Sequence, residues 1–292
     1  MSIVDAPSYS KGGRRMSAKH RARRRPQSAR AIAVAGMLAV IGGGVWHLSA
    51  RSSDAGPSLA GLPQVVLDAH RGGTGDVREA SISGSLALVK TGKIDVLDVD
   101  TQELADGTPV IMHDRTVERT TDGSGLVSSY TLARWKRLRI DVGTGPKNEH
   151  PPTAEEYLDA LGGKAVLTVE AKNADSVPRL TKMIKDRHLQ KSVLINTNQP
   201  TVAKKIHRLG ILTHLWRNHV QFAHEDPKKF AAYVDVLDLA YDAGDDRIRA
   251  ATQAGIPRVW THTVNTAQLR DHMLTLGADG IITDYPLTLD SH

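Results

Sequence analysis

The sequence predicts an α/β chain folded as a (β/α)8 TIM barrel, and three observations carry that expectation. From Gln64 onward short apolar runs alternate with amphipathic stretches, the pattern of parallel strands separated by helices. Eight such units fall within about 230 residues, the length of a closed barrel of this kind. No run is followed by the Gly-rich fingerprint of an open, dinucleotide-binding sheet. Gly72-Gly73-Thr74-Gly75 follows a strand but has neither the spacing nor the helix start.

The expected strands are 65–69, 94–100, 165–169, 193–195, 211–215, 234–239, 258–261 and 280–283. Helical patterns lie between them at about 80–91, 153–161, 176–187, 200–208, 226–233, 245–254 and 266–275. A barrel gathers its chemistry at the carboxyl ends of its strands, so those ends are informative. The first closes in His70-Arg71-Gly72, and the second carries Asp98 and Asp100. The third runs into Glu170-Ala171-Lys172, where Glu170 and Lys172 share a face. The seventh ends in Trp260-Thr261-His262 and the eighth in Thr283-Asp284-Tyr285-Pro286.

The second strand has a return arm. Val96, Asp98 and Asp100 alternate with Leu97, Val99 and Thr101, so the two aspartates project side by side. Such carboxylates repel unless a proton, a base or a cation lies between them. Asp106-Gly107 signals a tight turn, and the run Pro109–Met112 leads into His113-Asp114. The gap from Gln102 to Thr108 is too short for a parallel crossover. A β-hairpin is therefore expected, bringing His113 back opposite Asp100.

The chain has 292 residues, no cysteine and a net charge of +6. Thiolate metal sites and disulfides are excluded. Residues 1–51 hold ten Lys/Arg and one acid, Asp5, which leaves 28 basic against 31 acidic groups beyond them. The folded part thus has no charge-based case for binding nucleic acid. The basic tail, 1–30, precedes an uncharged segment, 31–48, broken by Gly36 and Gly42–Gly44. This order is that of a signal peptide or signal-anchor, with Arg14-Arg15 as a twin-arginine hint and small residues at Ser53-Asp54-Ala55. Residues 49–63 read as a linker and 64–292 as one catalytic domain, placed outside the cytoplasm, secreted or tethered to the membrane through 31–48.

Asp98, Asp100 and Glu170 form an oxygen-rich set suited to a hard divalent cation, Mg²⁺ or Ca²⁺. No helical HExxH pair favours zinc. Arg71 and Lys172 add positive charge for a phosphate, and His70 and His113 titrate near neutrality, so one can take a proton as the other gives one. Cation, phosphate clamp and paired histidines suit cleavage of a phosphodiester. His188, His207, His214, His219 and His224 follow no metal spacing, and Trp135 and Trp216 are expected to serve packing. Asp68, inside the first strand, is expected to have a buried partner.

On these residues the chain resembles the glycerophosphodiester phosphodiesterases. The resemblance spans about Val66 to Leu287. Its markers are AHRG at 69–72, Glu79, DVD at 98–100, DGTPVIMHDRTVERTTDGSG at 106–125, VEAK at 169–172, TVNT at 263–266 and GADGIITDYP at 277–286. It implies a barrel enzyme that releases glycerol 3-phosphate and an alcohol, usually with a divalent metal. His70 and His113 would be the acid/base pair, and Arg71 and Lys172 would bind phosphate. Asp98, Asp100 and Glu170 would hold the metal, with Glu79 ligating or orienting a neighbour. Asp98 stands where the family usually has Glu, Ala80-Ser81 where it has Asn-Thr, and His262 where it has Trp. His262 makes that wall of the substrate pocket more polar. Two other readings fit the same residues: a phospholipase C- or D-like enzyme acting on lipid, and a barrel that binds phosphodiesters without turnover.

Overall fold

A computed structural model describes residues 56–289. The basic tail, the 31–48 segment and the start of the linker lie outside the described residues. Among those described, no helix is long and apolar enough to cross a membrane.

Nine strands form one sheet: β1 (Val66–Ala69), β2 (Val96–Glu103), β3 (Pro109–Ile111), β4 (Val166–Ala171), β5 (Val193–Thr197), β6 (Leu212–Arg217), β7 (Val236–Ala240), β8 (Arg258–His262) and β9 (Gly280–Thr283). β1 pairs with both β9 and β2, which closes eight parallel strands into a barrel. β3 alone runs antiparallel, against β2, as the return arm of a hairpin. Gly107 makes the turn with φ of 75°, and the Thr108 amide donates to Asp106 Oδ1 at 3.0 Å.

The helices wrap the outside: α1 (Ile82–Thr91), α2 (Leu132–Trp135), α3 (Ala154–Leu161), α4 (Val177–Asp186), α5 (Pro200–Arg208), α6 (His219–Phe222), α7 (Asp245–Thr252) and α8 (Ala267–Thr275). The helix expected over 226–233 is not formed. Pro227 has no amide proton, and the Lys228 and Lys229 amides turn back to Asp226, leaving a 3-10 turn at Pro227–Lys229. The apolar spacing behind that expectation is real, since Phe230, Tyr233 and Val234 are buried. It reports contact with the barrel, not a helical backbone.

Strand alternation sorts the barrel into layers. Val66, Val96, Val166, Leu194, Val236, Trp260 and Ile282 form one apolar cluster inside the amino end. Gly280 leaves room for it, because a Cβ there would stand 2.2 Å from the Trp260 ring. Two residues further along come Asp68, Asp98, Thr168, Asn196, His214 and Asp238, all buried and all polar. The intervening residues, such as Leu67, Leu97, Val169, Ile195 and Leu237, pack outward against the helices. Leu59 and Leu62, from the expected linker, pack on the amino-end cluster, and Arg258 binds the carbonyls of Leu62 and Pro63. The folded unit therefore begins before Gln64.

Between β3 and β4 the chain builds a satellite core of Leu104, Val110, Met112, Val117, Val127, Tyr130, Trp135 and Leu138. Trp135 donates to the Pro151 carbonyl at 2.7 Å and is a packing residue, as expected. The satellite is joined to the barrel at α3, whose amino end is closed by a capping box between Thr153 and Glu156. Burial pushes the Glu156 carboxyl up, but the Thr153 amide, Lys136 and His150 outweigh it and hold it down at about 2. A depressed carboxyl contributes stability above its ordinary value near 4.5 and loses it as pH falls toward 2. Thr153→Ala is expected to cost about 1 kcal/mol in urea unfolding at pH 7. Glu156→Gln should destabilise at pH 7, and its effect should fade as the titration descends from pH 4.5 to 2.

Candidate active site

The pocket opens at the carboxyl end of the barrel, and the alternation that filled its floor also supplies its walls. His70, Asp98, Asp100, Glu170, Asn196, Trp216, Asp238 and His262 all carry the inward parity of their strands and all line one cavity of about 200 Å³. Arg71, His113 and Lys172 complete it from the strand-end loops and the return arm. The sequence thus brought both histidines, both cations, His262 and three of its four proposed metal ligands together.

The carboxylates are crowded. Thr168 Oγ1 donates to Asp98 Oδ1 at 2.6 Å, while burial and the adjacent Asp100 push the Asp98 carboxyl up. Burial and the bond to Asp100 push the Glu170 carboxyl up, to about 8. Asp100 is also pushed up by burial, but its bond to Glu170 and the Lys172 ammonium outweigh this and keep it ionised. Lys172 Nζ spans the two, 2.9 Å from Asp100 Oδ1 and 2.7 Å from Glu170 Oε2. Trp216 Nε1 donates to the remaining Glu170 oxygen at 2.9 Å. The Lys172 ammonium and the Trp216 indole thus offset part of the crowding between the two acids.

That arrangement tests whether a divalent cation belongs. Among the described residues no three acids or histidines are set to ligate an ion together as they stand. The donors that would do so, Asp98, Asp100 and Glu170, are nevertheless oxygen-only, and Lys172 already places positive charge between two of them. The set fits a hard cation.

Both histidines are held by a carboxylate at Nδ1. His70 Nδ1 lies 2.7 Å from Asp284 Oδ1, and Asn265 donates to the other Asp284 oxygen at 2.7 Å. His113 Nδ1 lies 2.7 Å from Asp114 Oδ1, and its Nε2 lies 2.9 Å from Arg71 Nη2. A guanidinium only donates, so His113 Nε2 accepts and Nδ1 bears the proton. Burial lowers the His113 imidazole below its ordinary range, against the pull of Asp100 and Asp114, which agrees with a neutral ring. Gln102 anchors the arm by donating to the His113 carbonyl at 2.9 Å. The hairpin register sets Met112, not His113, against Asp100, with the Met112 amide on the Asp100 carbonyl at 2.9 Å. His113 follows one residue later and turns into the pocket.

Arg71 is aimed by backbone geometry. It sits in a 3-10 turn with φ of 51°, and its carbonyl accepts the Ala80 amide. Gly73 follows at φ of 84°, and a Cβ there would come within 2.5 Å of Leu88. On the far wall His262 Nδ1 pairs with the buried Asp238 at 2.7 Å. Burial opposes a charge on that ring, but Asp238 prevails and raises it. The Trp216 ring meets His262 edge-on at 5.9 Å.

Several residues differ from expectation. Glu79 does not line the pocket: Arg119 grips both its oxygens, at 2.6 and 2.8 Å, and Thr74 adds a third bond. Of its two expected roles, ligand or orienting neighbour, these contacts fit the second: it holds Arg119, and Arg119 holds Asp114, the partner of His113. Trp216 belongs to the site, not only to packing. Asp68 does not gain the expected partner: neither oxygen has a hydrogen bond of good geometry, and burial with Asp98 and Asp238 nearby raises its carboxyl well above the usual range. His214 is fully buried beneath the pocket, 3.6 Å from Asp238. Asp114, Arg119, Asp238 and Asp284 were missed as site residues. The one available signal was that Asp114 and Asp284 lie inside motifs the sequence had already marked.

Fold and pocket define a (β/α)8 barrel with an acid–base centre suited to an anionic ester at its strand ends. The chain belongs to the glycerophosphoryl diester phosphodiesterase family, whose model matches residues 70–234. A glycerophosphodiester phosphodiesterase of Caldanaerobacter subterraneus is 28% identical over 238 residues, covering 77% of this chain and 96% of its own. The Bacillus subtilis glycerophosphodiester phosphodiesterase is 29% identical over 260 residues, covering 78% and 86%. Among solved structures, an Oleispira antarctica phosphodiesterase in complex with the product sn-glycerol-3-phosphate superposes with a TM-score of 0.64 at 24% identity, covering 77% of this chain and 94% of that one. At that identity the likeness speaks for the fold.

Proposed function

We propose that this protein hydrolyses glycerophosphodiesters to glycerol 3-phosphate and an alcohol. One observation carries the reading: His70 and His113, each oriented by a carboxylate, face the same small cavity as four carboxylates, a guanidinium, an ammonium and a third histidine, His262. The names of the relatives and the product bound in the Oleispira antarctica structure support it.

The residues divide the work. Arg71 and Lys172 would hold the phosphate oxygens, with the Arg71 guanidinium offering paired hydrogen bonds. With Nδ1 fixed on a carboxylate, each histidine turns Nε2 toward the substrate. One takes the proton of the attacking hydroxyl, from water or from the glycerol itself, while the other protonates the departing oxygen. Asp98, Asp100 and Glu170 would hold a divalent cation, Mg²⁺ or Ca²⁺, which when bound would screen their repulsion and polarise a phosphoryl oxygen. His262, paired with Asp238 at Nδ1, gives that wall a polar imidazole in place of an apolar ring.

Full-length protein incubated with a panel of glycerophosphodiesters should release glycerol 3-phosphate, measured with a coupled dehydrogenase. No release from any substrate would favour a binding-only barrel. A second reading, diesters still carried on lipid, draws support from the rim. Of the large apolar side chains most exposed among the described residues, Val220, Tyr241 and Tyr285 follow the carboxyl ends of β6, β7 and β9, and Leu126 lies in the insertion beyond β3. Faster turnover of a lysophospholipid in vesicles than of soluble diesters would establish that reading. The Arg-rich stretch before residues 31–48 supports action outside the cytoplasm; cleavage of the folded unit by protease added to intact cells is the expected outcome.

A further inference from the structure

A second cleft adjoins the pocket, and Lys172 lines both. It has a volume of about 590 Å³ and lies where β2, β4 and β5 end, walled on its outer side by the return-arm insertion. Three amide side chains, Gln102, Asn173 and Gln199, contribute to it with the Ser128 hydroxyl, the Arg115 guanidinium and the Glu103 carboxylate, which accepts from Asn173 at 2.7 Å. Its lining includes no aromatic side chain.

We infer that this cleft is the subsite for the departing alcohol, and that it selects polyhydroxylated head groups. The inference rests on the phosphodiesterase reading and adds the substrate class. A diester has two arms. The catalytic cavity, at about 200 Å³, lies below the roughly 300 Å³ at which pockets begin to enclose larger ligands, so it accommodates phosphate and one short arm. The other arm must leave through the mouth. Gln102 lines the cleft while bonding the His113 carbonyl, and Lys172 lines it while its ammonium sits on Asp100 and Glu170. The cleft therefore begins beside the reacting groups.

Its chemistry names the occupant. Amides offer donors and acceptors together, as neighbouring hydroxyls require. A quaternary ammonium is held by aromatic faces, which this cleft lacks, and its one carboxylate, Glu103, is engaged by Asn173 and outnumbered by Arg115 and Lys172. An acyl chain would need an apolar trough, and the one large apolar side chain in the lining is Leu126.

The test compares full-length wild type with Ser128→Trp and with the Asn173→Ala/Gln199→Ala double variant. Substrates are the inositol, choline and methyl esters of glycerol 3-phosphate. Ser128 is exposed, so the bulky change fills the cleft without disturbing a core. Wild type should prefer the inositol ester over the choline ester. Each variant should lower the ratio of kcat/KM for the inositol ester to that for the methyl ester about tenfold, roughly the effect of one or two lost hydrogen bonds. If wild type turns over the methyl and inositol esters and both variants leave that ratio unchanged, the subsite is overturned and the phosphodiesterase reading survives. If wild type prefers the choline ester, the head-group class is wrong. If wild type cleaves none of the three, both readings fall together.

Discussion

Replacing His113 with glutamine is expected to lower kcat for glycerophosphodiester hydrolysis by about 10³-fold, within the range that positioned acid–base groups supply. The ring has a fixed task because its hydrogen bonds fix its tautomer. Nδ1 is tied to Asp114 and Nε2 faces Arg71 and the cavity, leaving one lone pair for proton transfer. Glutamine matches the polarity but cannot exchange a proton near neutrality. His113 is partly exposed and belongs to no apolar cluster, so the variant should unfold at close to the wild-type temperature. The pH profile gives a second check. Burial holds the imidazole below its ordinary value of about 6.5, so a step needing the neutral ring persists below that pH and fails as acid protonates it. An acid limb of kcat/KM lying above 6.5 in the wild type would contradict the assignment.

Removal of divalent cations should reduce turnover by at least about 10²-fold, since polarising a phosphoryl oxygen is worth several kcal/mol. The effect should be visible without substrate. A cation bound by the folded chain alone raises the unfolding temperature as its concentration rises. Millimolar Mg²⁺ or Ca²⁺ should therefore shift wild-type unfolding upward, and Asp100→Asn should lose both the shift and the activity. The physical reason is the crowding of Asp100 and Glu170, whose repulsion the Lys172 ammonium offsets and which pushes the Glu170 carboxyl up. Full activity after exhaustive chelation, with no thermal response to either ion, would remove the cation from the mechanism. Asp98 is one methylene shorter than the Glu that the family resemblance leads one to expect there, so Asp98→Glu should keep activity and change which ion supports it best.

Much of this site could be read from the chain because strand geometry is local. Asp98 and Asp100 two apart, and Glu170 and Lys172 two apart, must share a face in any strand, and the barrel needs only to turn that face inward. The Asp106-Gly107 turn likewise returns the chain within a few residues, so His113 had to arrive near Asp100 whatever surrounded it. The one-residue offset, with Met112 against Asp100, came from hairpin register, which depends on how the satellite core seats the arm.

What escaped the sequence depended on distance along the chain. Glu79 and Arg119 are 40 residues apart, and His70 and Asp284 are 214 apart. Nothing local says that a buried acid will meet a guanidinium before it meets a metal. The helix expected over 226–233 failed for a related reason: apolar spacing records what a segment touches, and a 3-10 turn can present Phe230 and Tyr233 to the barrel as well as a helix can. By itself the sequence determined the barrel, the inward faces and the chemical types gathered at the strand ends, since each follows from alternation within a few residues. Only the tertiary structure decided that Asp284 orients His70, that Trp216 seats Glu170, and that Asp68 is packed beside Asp98 and Asp238, because those outcomes turn on partners from strands far apart in the chain.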